Sequence, residues 1–186
     1  MSQKLSDVLF KLTSPCFIET MPSNLPISLI SNGSIFKGKQ ILDANEDWEI
    51  TLKILELNEK NGSLCGFMTA NSASHKVVTF LEGEIVDFKN FHFRTGKWNA
   101  TSKDDDKYWG LLKRKPDGVF LRLKEQSFIS GNTDGLTISG FYYCALRLNG
   151  SLEGIYHDPQ CVPGQKLSLK KCSDHSGFSF PSYAFN

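Results

Sequence analysis

From Trp48 to Leu57 the chain alternates: Trp48, Ile50, Leu52 and Ile54 are apolar, and Glu49, Thr51 and Lys53 lie between them. Successive side chains on a strand point to opposite faces, so this pattern predicts a strand with one buried face. Asn58 to Gly62 then predicts a turn built on Asn61-Gly62, and Leu64 to Ala70 the returning arm of a hairpin. In Lys76 to Val86, the residues Val77, Thr79, Leu81, Gly83 and Ile85 share one face, and Val78, Phe80, Glu82 and Glu84 the other. Glutamates do not enter an apolar core unpaired, so the odd-numbered face is expected to point inward. Val119 to Glu125 and Gly140 to Leu148 read as further strands. The second of these turns at Asn149-Gly150 into Ser151 to His157, and Lys166 to Lys170 closes the series. One helix is expected between Thr101 and Leu112, with Ser102 as its cap, Asp104 and Asp105 at its positive end, and Trp109 and Leu112 on one face. Short antiparallel strands with one helix imply a small barrel or a strongly coiled sheet.

Composition narrows the function. A chain of 186 residues with a formal net charge of +1 fits one domain and lacks the clustered basic surplus that phosphate binding needs, so no nucleic-acid partner is expected. The dense run Lys113-Arg114-Lys115 abuts the turn Pro116-Asp117-Gly118 and reads as a solvated loop. Cys16, Cys65, Cys144, Cys161 and Cys172 are odd in number and form no CxxC pair, which suits free thiols in a reducing compartment. Met1 to Leu12 has no continuous apolar stretch, so neither a signal peptide nor membrane insertion is expected. Four glycosylation sequons occur, and three of them are Asn-Gly turns, which explains them without glycans. These readings place the protein in the cytosol, with the nucleus as a second compartment. They divide it into a flexible leader (1–26), a barrel domain (27–176) and a C-terminal tail (177–186).

Catalytic chemistry is not expected. His75, His92, His157 and His175 lack metal-ligand spacing, and no nucleophile or phosphate-loop motif occurs, so neither a metal nor a cofactor is implied. Glu82 and Glu84 read as a solvated or salt-bridged edge. Gly96-Lys97-Trp98 matches the Gly-x-Trp of lipocalins, but that motif belongs on a first strand. Glu125 is different. Val119, Leu121, Leu123 and Glu125 share one face of their strand, so the carboxylate ends an apolar row aimed into the barrel. Such a group must be protonated, paired with an internal Arg or Lys, kept for a cationic ligand, or brought to water by a register break. Tyr142 is placed to offer a hydroxyl nearby.

Phe36-Lys37-Gly38-Lys39-Gln40, Leu64-Cys65-Gly66-Phe67, Thr79-Phe80-Leu81-Glu82-Gly83-Glu84-Ile85, Lys97-Trp98-Asn99-Ala100, Leu123-Lys124-Glu125-Gln126, Gly140-Phe141-Tyr142-Tyr143 and Ser151-Leu152-Glu153-Gly154 follow one another in this order. Over roughly residues 28–186 the sequence resembles the substrate receptors of the glucose-induced-degradation (GID, or CTLH) E3 ubiquitin ligase, the vacuolar import and degradation protein family. The resemblance implies a mostly β fold: a small antiparallel, calycin/lipocalin-like barrel with one short helical insertion. Its non-catalytic pocket would take a client protein's N-terminal residue, typically proline, for ubiquitination and proteasomal degradation.

By position, the resemblance assigns Glu125 to the client's ammonium, with Tyr142 beside it, and Met68, Val77, Thr79 and Ile138 to the pocket walls. Gln40, Ile50, Thr133, Gly135, Thr137, Tyr156 and Gln165 fall where relatives contact the client's backbone and next residues. Val77, Thr133 and Ile138 replace the family's Leu, Ile and Phe, which implies an altered preference at the client's first residues. The aromatic tail, with Tyr183 and Phe185, resembles an anchor to an armadillo-type scaffold subunit, RING subunits being reached indirectly. Gluconeogenic enzymes are the clients implied. The rival expectation from the residues is a carrier barrel for small apolar ligands, which gives Glu125 and the aromatic tail no role.

Overall fold

In the computed structural model, residues 29–44, 46–86, 91–115 and 117–173 are described. Eight strands follow in chain order: β1 (Ile35–Ile41), β2 (Asp47–Asn58), β3 (Ser63–Asn71), β4 (Lys76–Val86), β5 (Gly118–Gly131), β6 (Phe141–Arg147), β7 (Ser151–Asp158) and β8 (Cys161–Lys171). Each pairs antiparallel with its neighbour and β1 pairs with β8, so the sheet is a closed barrel without edges. A 3-10 turn, Gly96–Trp98, and the helix α1 (Ser102–Leu112) lie in the β4–β5 connection. Among the described residues the fold is the mostly β, antiparallel barrel with one short helix that the sequence predicts.

Two clusters pack on opposite sides of the barrel wall. The inner one gathers alternate residues of every strand, among them Phe36, Leu52, Ile54, Leu81, Leu121, Leu123, Cys144, Leu152 and Leu169, with Ile30 from the segment before β1. The outer cluster joins Tyr108, Trp109 and Leu112 of α1 to Phe120, Phe141, Tyr143 and Ala145. Since β6 is covered on both faces, all seven of its residues are buried. Its burial therefore does not alternate along the strand.

Several boundaries differ from the sequence reading. The helix cap is Thr101, not Ser102. Its side chain accepts from the Asp104 N–H while the Asp104 carboxylate receives the Thr101 N–H, a reciprocal pair that places Ser102 inside the helix. β1 was not expected as a strand, because its inward row reads Phe36, Gly38, Gln40 and carries one apolar side chain. Gly38 is required there: a Cβ would lie 2.1 Å from the Ser168 carbonyl across the closing β1–β8 seam. β5 continues past Glu125 to Gly131, with register shifts against β4 that break the alternation after that residue. Glu84 does face away from the lumen, and of the two alternatives, solvated or salt-bridged, it is the salt-bridged one, with the carboxylate buried. It lies beneath the β4–β5 connection and pairs with Arg122 at 2.7 Å and with Lys97.

Candidate functional site

Strand direction defines the two ends of the barrel. The β1–β2, β3–β4, β5–β6 and β7–β8 connections share one end, and the inward residues nearest it differ from the rest of the interior. Deeper positions are apolar. Near this mouth the inward row becomes Gln40 on β1, Trp48 and Ile50 on β2, Met68 on β3, Val77 and Thr79 on β4, Glu125 on β5, Tyr142 on β6, Tyr156 on β7 and Gln165 on β8. Register brings these side chains together: Met68 is opposite Thr79, Leu81 opposite Glu125, and Tyr142 opposite Tyr156, which itself lies opposite Gln165.

Glu125 sits at the centre of this ring. The Thr79 hydroxyl donates to its Oε1 at 2.6 Å, and the Tyr142 hydroxyl lies 3.3 Å from its Oε2. Tyr142 is also 3.1 Å from Gln40 Oε1. A phenol has one proton, so only one of these two acceptors receives it at a time. Gln40 Nε2 donates onward to Gln165 Oε1 at 2.5 Å. The walls are apolar: Ile50, Met68 and Val77 are buried, and Phe128 and Leu136 pack against the same cluster. Trp48 stacks on His75 of the β3–β4 loop with ring centroids 5.6 Å apart.

Among the described residues no lysine, arginine or histidine nitrogen is recorded within ion-pair distance of Glu125. Desolvation pushes its carboxyl above the usual range, and the hydroxyls of Thr79 and Tyr142, with the through-space charge of Lys124, offset only part of that. The Tyr142 phenol is driven well above its ordinary value by burial and then by the adjacent carboxylate, so it stays neutral and can donate or accept. The neighbouring Lys124 points the other way, and its ammonium hydrogen-bonds to carbonyls of the β5–β6 loop. Among the described residues no group of three or more His, Cys, Asp or Glu could hold a metal ion.

The residues singled out from the sequence thus fall into three sets. Glu125, Tyr142, Thr79, Met68, Val77, Ile50, Gln40, Tyr156 and Gln165 converge at the inner mouth. Thr133, Gly135, Thr137 and Ile138 lie on the β5–β6 loop (132–140), Gly135 and Thr137 exposed and Thr133 and Ile138 half-buried. Tyr183 and Phe185 lie outside the described residues. The Tyr156 hydroxyl accepts the Gly140 N–H at 3.0 Å, which ties that ring to the end of the loop. A Cβ on Gly140 would meet the Tyr156 ring at 2.4 Å, so this approach needs glycine. Sequence reasoning missed Trp48, His75, Phe128 and Leu136 as neighbours of the site. Trp48 was readable from the β2 alternation; Leu136 and His75 are loop residues with no periodic signal.

The class defined by this geometry is a closed β-barrel with a cation-deficient carboxylate ringed by neutral polar groups inside one mouth. More narrowly, the chain belongs to the vacuolar import and degradation protein family, which matches residues 29–172. It is similar to the mouse glucose-induced degradation protein 4 homolog, 29% identical over 195 residues that cover 90% of this chain and 88% of the mouse protein. The GID complex substrate-recognition subunit 10 of Schizosaccharomyces pombe is 27% identical over 177 residues, covering 73% of this chain and 32% of that protein. The Saccharomyces cerevisiae subunit of the same name is 28% identical over 104 residues, 47% of this chain and 36% of its own length. The matches thus span most of the mouse relative but only about a third of each yeast protein.

Proposed function

We propose that this chain is a substrate receptor of a GID/CTLH-type E3 ubiquitin ligase, which takes the N-terminal residue of a client, proline before other residues, into the barrel mouth. The observation that carries the reading is Glu125, a half-buried carboxylate inside the mouth with hydroxyl donors and, among the described residues, no cation within ion-pair distance. An α-ammonium with its pKa at about 7.7–8.0 is a cation at neutral pH and supplies the missing charge. A prolyl N-terminus has two N–H donors, which Glu125 can share with the Gln40 carbonyl or the Tyr142 oxygen. Its ring is apolar and suits walls of Met68, Val77 and Ile50. The following residues would run out beneath the β5–β6 loop, where backbone hydrogen bonds serve any sequence.

In this reading the chain presents the client and other subunits transfer ubiquitin for proteasomal degradation. The aromatic tail 177–186, with Tyr183 and Phe185, docks on a scaffold subunit, and the complex works in the cytoplasm. The test is a panel of peptides that differ only at residue one, each with an N-acetylated twin. Pro-initiated peptides should bind best, small or branched apolar residues next, and the acetylated twins not at all. Equal binding of free and acetylated peptides would sink the proposal.

A further inference from the structure

Lys124 follows Leu123 on β5 and precedes Glu125, so it lies on the opposite face of the wall. Its Nζ is 3.3 Å from the Ile138 carbonyl, 2.9 Å from that of Ser139 and 3.0 Å from that of Gly140. An ammonium has three N–H donors, and here three successive carbonyls receive them. The segment they belong to, 132–140, has no strand or helix partner of its own. Its other fastenings are local turns, neighbours on β7 and the β3–β4 loop: Leu136 N to Thr133 O, Ser139 N to Thr137 Oγ1, Ser139 Oγ to Asp158, Gly140 N to Tyr156, and the Asp134 carbonyl 3.3 Å from His75 Nε2, with Leu136 packed on the inner cluster. Three peptide carbonyls on one cation are unlike an ordinary surface ion pair: each bond is charge-assisted, and the nearby carboxylates of Glu125 and Asp158 act on the ammonium through space rather than by direct contact.

We propose that Lys124 is a positioning residue: it clamps the β5–β6 loop over the barrel mouth and so sets how tightly the second and later residues of a bound N-terminus are gripped. This rests on the receptor reading above and adds a division of labour to it. One dipeptide of β5 serves both ends of the ligand, Glu125 holding the ammonium from inside and Lys124 holding the loop from outside. The spacing between pocket and loop is then fixed by a single peptide bond rather than by the packing of two distant elements. Lys124 itself touches no client.

Lys124→Met keeps the apolar stem and removes the ammonium, while Lys124→Arg keeps the charge. Two ligands separate the roles: a Pro-initiated hexapeptide, which passes beneath the loop, and prolinamide, which ends at the first residue. Lys124→Met should weaken the hexapeptide about tenfold. It should leave prolinamide unchanged in NMR titration, and Lys124→Arg should recover part of the loss. In the unliganded protein, amide exchange at Asp134, Leu136, Ser139 and Gly140 should accelerate in Lys124→Met while β1 to β4 stay protected. Equal losses for both ligands, reversed by Arg, would overturn the clamp and show that Lys124 acts through its charge near Glu125. Unchanged loop exchange would overturn it as well. If wild type binds neither ligand, the receptor reading fails, and the exchange comparison still decides the clamp.

Discussion

Glu84 and Glu125 stand on neighbouring strands, the first buried and the second half-buried inside the mouth, and their surroundings are opposite. Glu84 faces outward beneath the β4–β5 connection. Its side chain, 11% exposed, meets the Arg122 guanidinium, itself 4% exposed, and the Lys97 ammonium. Arg122 in turn donates to the Arg94 carbonyl and the Thr95 hydroxyl, so the charge pair is satisfied on both sides. Glu125 faces inward and meets two hydroxyls. The same fold therefore supplies cations to a buried carboxylate where that carboxylate only joins elements. Where the carboxylate lines the mouth, it supplies donors that leave the charge unbalanced. An unpaired buried charge is costly, and such a cost persists where a ligand repays it.

The comparison breaks most visibly at Arg122. Arg122→Met removes the partner that balances Glu84 and leaves a buried carboxylate with Lys97 alone. A loss of about 3–5 kcal/mol in folding stability is expected, read as a lower urea midpoint. Peptide affinity, measured where the variant is still folded, should not change. A stability loss below about 1 kcal/mol would place this pair with ordinary surface bridges.

A proton-linked effect sharpens the contrast. The folded carboxyl of Glu125 titrates above its unfolded value, so below the unfolded value both states are protonated and the group is neutral in the balance. As pH rises from there through the raised folded value, the unfolded chain loses its proton first and the unliganded barrel is destabilised. Urea midpoints of wild type should therefore fall relative to Glu125→Gln across that window. A wild type that gains stability there would reveal an internal cation. The smallest effect belongs to Tyr142→Phe, which keeps the ring packed on Tyr156 and deletes one hydroxyl. Calorimetric titration should show a loss of about 1 kcal/mol in peptide affinity.

Alternation made much of this legible before any coordinates. Trp48 to Ile54, Val77 to Leu81 and Val119 to Glu125 have period two, and each inward row lies where its strand puts it, Glu125 included. What stayed hidden had no local signal. Gly38 and Gln40 are inward in β1 because the barrel closes on β8, a long-range fact. The extra residues of β5 beyond Glu125 are absorbed by bulges, so the pairing of Thr79 with Phe128, and with it the approach of the Thr79 hydroxyl to Glu125, cannot be counted off the chain. The outward Glu84 reads as a solvated or salt-bridged edge, and the salt bridge is found; its burial has no local signal, because nothing local says that the β4–β5 connection folds back over it. Thr79, Glu125, Tyr142, Gln40 and Gln165 become one network only when five strands are in register.

The most direct test of the central claim is a thermodynamic cycle on the charge itself. Wild type and Glu125→Gln are each titrated with a Pro-initiated peptide and with its N-acetylated twin. With the free peptide, Glu125→Gln should lose about 2–5 kcal/mol of affinity, because the client's ammonium is left buried without its partner. With the acetylated peptide the two proteins should be indistinguishable, so the whole loss appears as coupling between the carboxylate and the ammonium. If Glu125→Gln binds the free peptide as wild type does, the cation is held elsewhere and the account of Glu125 is wrong.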